Sequence, residues 1–185
     1  NLAYKKVVKN PNNQKEILNL EQAFNKAQQQ DLNEIELLKK EGNPENWEKI
    51  YELYKTIRSR QLKIQGLPAL KIEEENRTVV FNYINVDDEL VKSKQNAAAY
   101  FYTYAQQLLN SGSKENARKA YSQFVQVKKF YNNYRSVDSL IEVSQAMGIS
   151  YVLIRSQNKT TFALPAMFAD EMLRINTADL NTNWI

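Results

Sequence analysis

A chain of 185 residues with 43% apolar side chains has room for one domain of ordinary size and a real core, which argues against disorder. It contains neither histidine nor cysteine, which excludes disulfides, thiol nucleophiles, Ser-His-Asp triads, haem ligation and most zinc sites. The net charge of +4 is unevenly spread: residues 12 to 54 carry nine acids against five lysines, and residues 113 to 135 carry six basic groups against Glu115 alone.

No run approaches the roughly 18 apolar residues of a membrane span. Four glycines and four prolines are too few for an all-β chain rich in tight turns. The chain opens on Asn1 rather than Met, which reads as a trimmed start with any targeting segment removed upstream.

In chain order, the first clear element runs from about Asn13 to Glu41. Ile17, Leu20, Phe24, Ala27, Ile35 and Leu38 recur at three- and four-residue steps and mark one helical stripe. Gly42 stands where a left-handed cap belongs, and Asn43-Pro44 opens a second helix with Trp47, Ile50, Tyr54 and Ile57 on one face. So short a connection makes the two helices antiparallel neighbours. Residues 69 to 86 combine the run Glu73-Glu74-Glu75 with the strand-like Thr78 to Ile84, and are expected as an extended linker.

A third helix is expected from about Asp87 to Asn110, with Leu90, Ala97, Phe101, Ala105 and Leu108 inward. Its opening carboxylates favour the helix dipole. Ser111-Gly112-Ser113 makes the next turn. A fourth helix spans Lys114 to Tyr131 with Ala117, Ala120, Phe124 and Val127 inward, and a fifth spans Ser136 to Met147 and stops at Gly148. Then the period shortens. Ile149 to Arg155 and Thr161 to Leu164 read as a small β hairpin, followed by a helix from Pro165 with Phe168, Met172, Leu173 and Ile175. The closing Trp184 is expected to dock against this domain, with a further strand continuing beyond Ile185 in a longer protein.

Trp47-x-x-Ile50-Tyr51-x-x-Tyr54 resembles the first-helix signature of tetratricopeptide repeats, and Ala120-x-x-x-Phe124 resembles the second-helix signature. Tyr51 stands where that pattern wants glycine, and Asn132 where it wants proline. A broader resemblance is carried by Ala117-Arg118-Lys119-Ala120-Tyr121, Gly148-x-x-Tyr151-Val152-Leu153-Ile154 and Leu180-x-x-x-Trp184. Through these the chain looks like the amino-terminal part of uncharacterised cell-envelope lipoproteins of the Bacteroidota. This resemblance implies periplasmic or cell-surface exposure and a carboxy-terminal continuation. A membrane anchor on a lipid-bearing cysteine, removed with the upstream segment, fits the same reading.

Carboxylates are the only plentiful catalytic raw material. Glu73 to Glu75 and Asp87 to Glu89 suit a linker and a helix start better than a glycosidase acid-base pair. There is no calcium-loop pattern and no Gly-rich phosphate cradle. Arg118, Lys119, Lys128, Lys129 and Arg135 form a basic series interleaved with Tyr121, Phe124, Phe130 and Tyr134. Because those aromatics fall on the apolar stripe, nucleic acid is disfavoured. The five cations are read either as a solvated face or as a partner-binding surface for acidic groups. Asn76-Arg77-Thr78, Asn158-Lys159-Thr160 and Asp138-Ser139-Leu140 match glycosylation tripeptides that an Asn-rich chain also produces by chance.

The expected fold is mainly α: stacked antiparallel, tetratricopeptide-like helical hairpins with a small C-terminal β hairpin. The expected divisions are 1–68, 69–86, 87–148 and 149–185. The expected function is a non-enzymatic scaffold for a protein partner, without cofactor, metal or catalytic residues. The alternatives are the amino-terminal part of an envelope enzyme whose active groups lie further on, and a lipid- or glycan-binding module.

Overall fold

The structure is a computed structural model; it describes residues 2–155, 157–163, 165, 167–168, 171, 174 and 184. Among these are six helices, α1 (Leu2–Lys9), α2 (Gln14–Glu41), α3 (Asn46–Gln65), α4 (Asp87–Asn110), α5 (Lys114–Phe130) and α6 (Val137–Gly148). Two short strands, β1 (Lys71–Ile72) and β2 (Arg77–Thr78), stand between α3 and α4. The chain is mainly α, with helices packed in adjacent pairs: α1 on α2, α2 on α3, and α5 on α6. It divides into two compact units, Asn1–Tyr100 and Phe101–Ile185.

In the first unit the expected helix ends follow from local chemistry. Asn13 accepts a hydrogen bond from the Glu16 amide at 3.2 Å, satisfying an amide that has no partner within the helix. Gly42 closes α2 at φ 65°, a backbone conformation costly for any residue with a Cβ. The stripe is buried as the spacing requires, with Ile17, Leu20, Phe24, Ile35 and Leu38 all inside. α1, in contrast, was not expected. Eight residues are too few to hold a helix in isolation, and α1 owes its order to Val7, fully buried beside Ile17 and Leu20.

The small sheet is not C-terminal but lies within the segment read as a linker. Lys71 pairs with Thr78 and Ile72 with Arg77, antiparallel. Glu73 to Asn76 form the turn, with Asn76 at φ 46°, where asparagine is tolerated better than most residues. Ile72 is buried in the same cluster as Leu20 and Phe24. Arg77 grips Glu21 of α2 through both terminal nitrogens, at 2.7 and 2.8 Å. The strand-like Thr78 to Ile84 then continues along the helices. There Phe81 meets Phe24 edge-on at 5.1 Å, and Val79 and Val86 are buried.

Two buried glutamines hold this extended stretch by its backbone. Gln61 donates to the Ile84 carbonyl at 3.0 Å and accepts from the Ile84 amide at 2.8 Å. Gln28 donates to the Asn82 carbonyl at 2.5 Å. Both side chains therefore supply the partners that a neighbouring strand would have supplied.

The second unit is centred on Ala105, Ala117, Ala120, Phe124 and Val127, all with no exposed surface. The small residues let α5 approach its neighbours closely. Phe124 and Tyr102 meet edge-on at 5.8 Å, and Phe101 stacks on Phe130 at 5.9 Å. Ser113 caps α5 by accepting from the Asn116 amide at 3.1 Å.

The expected hairpin at Ile149–Arg155 and Thr161–Leu164 is absent: the described residues of 149–164 contain no strand. Tyr151, Val152 and Leu153 are 87%, 66% and 73% exposed. A two-stranded hairpin is marginal without a layer to cover it, and Ile72 has that layer whereas Val152 does not. The helix expected through Met172, Leu173 and Ile175 falls outside the described residues, as does Leu180.

Candidate functional site

The five cations expected to form one surface are distributed differently. Lys119 and Lys128 stand nine residues apart on α5, about 900° of rotation, and so emerge on opposite sides of the helix. Each also faces a carboxylate: Lys119 pairs with Glu115 and Lys128 with Asp138, both at 2.7 Å. Arg118 is turned inward to the end of α6, where Nε donates to the Gly148 carbonyl at 2.9 Å and Nη2 to Ser150 Oγ at 3.1 Å. Its guanidinium also lies 5.4 Å from the centre of the Trp184 ring. Arg135, at φ 49°, lies 5.1 and 5.3 Å from the rings of Tyr102 and Tyr134. Lys129 alone of the five is exposed without an ion pair or ring contact among the described residues.

Trp184 is seated on the α5–α6 pair. Its ring meets Tyr121 edge-on at 5.3 Å, and its carbonyl accepts from the Ser150 amide at 2.7 Å. Gly148 provides the flat seat: a Cβ there would lie 2.6 Å from the Trp184 ring.

In the first unit, three helices bring polar groups together at one point. The Lys39 ammonium donates to Tyr54 Oη at 3.0 Å and to Glu89 Oε2 at 2.5 Å, and the Tyr54 hydroxyl donates to the same Oε2 at 2.9 Å. The ammonium holds the Glu89 carboxyl below its usual 4.5, against a smaller opposing effect of burial. Partial burial pulls Lys39 down, but its bonds to Glu89 and Tyr54 together leave it above its usual 10.5. Burial pushes the Tyr54 hydroxyl up. Each shift favours the charge state already present at neutral pH, so the cluster fastens helices and is not poised to move protons.

A pH dependence follows. The carboxyls of Glu21 and Glu89 are lowered, by Arg77 and Lys39 respectively, and the shifted lysines and tyrosines are raised. Stability from a lowered carboxyl is complete above its unfolded value of about 4.5 and is lost as pH falls through the folded value. Stability from raised Lys39 is complete below about 10.5 and is lost as pH rises through the higher folded value. The melting temperature should therefore be flat from about pH 5.5 to 8 and should fall below about pH 4.5. Glu89→Gln should make that acid decline shallower in a scan by circular dichroism. A slope within the neutral window would contradict this reading.

Among the depressions lined by α3, two bear on a binding role. One, of about 300 Å³, is a nearly apolar cleft against α1 and α2, lined by Tyr4, Leu20, Phe24 and Ile64 with Arg60 and Lys63. The other is an open groove of about 810 Å³ between α3 and α4. Tyr51, Lys55, Arg58, Ser59, Leu62 and Lys63 line it from α3, and Asp87, Leu90, Val91 and Lys94 from α4. Leu62 is 58% exposed and Val91 54%, while Leu90 is buried beneath them. Arg58 reaches Asp87 at 3.3 Å, and Lys55 reaches Glu52 at 2.9 Å.

This groove went unread in the sequence. The available signal was Leu62, an apolar residue off the Ile50–Tyr54–Ile57 stripe and set among Lys55, Arg58 and Lys63. Val91, beside inward Leu90, was the matching signal on α4. Among the described residues there is no cluster of three or more acids placed to hold a metal, and no helix long and apolar enough to cross a membrane. Compared with known proteins, the chain matches no family model, no curated protein and no solved structure.

Proposed function

We propose that this chain is a non-enzymatic helical scaffold that holds a protein partner, with the groove between α3 and α4 as the contact site. The carrying observation is the pair Leu62 and Val91, large apolar side chains that are more than half exposed and line the same open groove. An exposed apolar patch rimmed by polar groups is characteristic of an interaction site, and an open groove between helices suits a macromolecular partner better than an enclosed small-molecule site does. The likeness of Trp47 to Tyr54 and of Ala120 to Phe124 to tetratricopeptide repeats supports a scaffold reading. The likeness to Bacteroidota envelope lipoproteins supports a place in the cell envelope.

The test is a photo-crosslinking amino acid placed at Leu62, with exposed Lys26 on α2 as the control position. A discrete adduct is expected at Leu62 and not at Lys26. The captured protein, once purified, should bind the unmodified chain and lose binding to Leu62→Glu. No adduct at Leu62, or equal adducts at both positions, would refute the assignment.

A further inference from the structure

We infer that the partner element seated in the α3–α4 groove is an acidic amphipathic helix of about three turns. This inference rests on the groove being the partner site, as proposed above, and names what fills it.

The charge of the groove selects acid. Four of its lining residues are cations and only Asp87 is a carboxylate. Arg58 is engaged by Asp87 and Lys55 by Glu52, and with both carboxylates counted the four cations still leave a positive excess. That excess would steer an acidic segment toward it and repel a basic one. The apolar content selects an amphipathic segment. Leu62 and Val91 line the groove together with cations from both helices, so a partner that covers it must present apolar side chains and carboxylates on one amphipathic face. Desolvating both residues supplies the apolar anchor, and the charged groups set orientation.

The walls select a helix over an extended strand. Strand addition needs free main-chain amides and carbonyls along a sheet edge. Both walls are helices, whose interior backbone groups are already bonded within each helix. A helix carries its own backbone bonds and asks only for a groove that accepts anchors at i, i+3, i+4 and i+7. The α3 wall from Tyr51 to Lys63 is about 18 Å long at 1.5 Å per residue, which matches about three turns.

The test uses fluorescence anisotropy with a synthetic labelled helix bearing a leucine stripe and glutamate flanks. Control peptides replace the leucines by serine or the glutamates by lysine, and phosphatidylglycerol vesicles serve as a separate probe. The leucine–glutamate helix should bind, and its Kd should rise about tenfold as salt increases from low to physiological levels and beyond. Leu62→Ser with Val91→Ser, and separately Lys63→Glu with Lys94→Glu, should each weaken binding about tenfold or more. Leu62, Lys63 and Val91 are exposed and Lys94 is half-buried, so the melting curve of each variant is compared with that of the parent chain to show that it folds. Absence of binding by the leucine–glutamate helix would overturn the inference. So would equal binding by the serine or lysine peptide, or binding to vesicles without binding to the helix. A partner crosslinked at Leu62 without peptide binding would refute the acidic helix and leave the scaffold standing. Failure of the crosslink itself would refute the scaffold reading.

Discussion

Gln61→Leu should destabilise the first unit by about 2–4 kcal/mol, although it replaces a buried side chain by one of similar size and greater hydrophobicity. Gln61 has only 6% of its surface exposed, and its carboxamide both donates to and accepts from the Ile84 backbone. Leucine would leave that amide and that carbonyl without partners, and each unsatisfied buried group costs about 1–3 kcal/mol. The apolar gain of leucine offsets part of this. Gln61→Glu is the informative companion: it keeps the acceptor for the Ile84 amide but sets a carboxylate against the Ile84 carbonyl. Urea unfolding followed through Trp47, in a background with Trp184 replaced by Phe, reports this unit selectively. A loss below about 0.5 kcal/mol for Gln61→Leu, the scale of ordinary surface changes, would show that residues 82–86 are held by packing alone.

Gly148→Ala should destabilise the second unit, against the usual sign for a glycine at a helical position. In a helix interior alanine is favoured over glycine by about 1 kcal/mol. Here the added Cβ would meet Trp184 Cζ3 at 2.6 Å, Trp184 Cε3 at 2.9 Å and Arg118 Cγ at 3.0 Å. The indole must leave, forfeiting its contacts with Tyr121 and Arg118. Trp184→Ala should cost about 2 kcal/mol, below the range for fully buried tryptophan because this ring is only half-buried. Once Trp184 is gone, the clash is gone, and Gly148→Ala should become neutral or stabilising. A double-mutant cycle isolates that change of sign. Trp184 fluorescence in a Trp47→Phe background should shift to the red on Gly148→Ala. An unshifted spectrum together with additive stabilities would mean that the indole does not sit on Gly148.

These two contacts show what kind of information each level carries. The sequence by itself determined the principal helices, because periodicity and capping are local. Ile17, Leu20 and Phe24 point one way on any helix that contains them, and Asn13, Gly42 and Ser113 mark boundaries that need no distant partner. It also determined that Ala117, Ala120, Phe124 and Val127 are inward, since that spacing admits one helical face. Its reading of the basic series stopped short for the same reason: what engages Arg118 is the Gly148 carbonyl, some thirty positions away.

Only the tertiary structure decided which strand-like segment pairs. By composition Lys71–Thr78, with three glutamates and an asparagine, has a weaker claim than Ile149–Leu164, but β propensity measures fit to a half-buried surface and not the backbone alone. The first finds α2 for Ile72 to pack against; the second leaves Tyr151 to Leu153 in water. The groove was decided at the same level. Leu62 and Val91 belong to different helices, and neither spacing nor charge along one helix reveals that the other stands beside it. Periodicity says which face of each helix is apolar, but packing alone determines which apolar side chains remain uncovered.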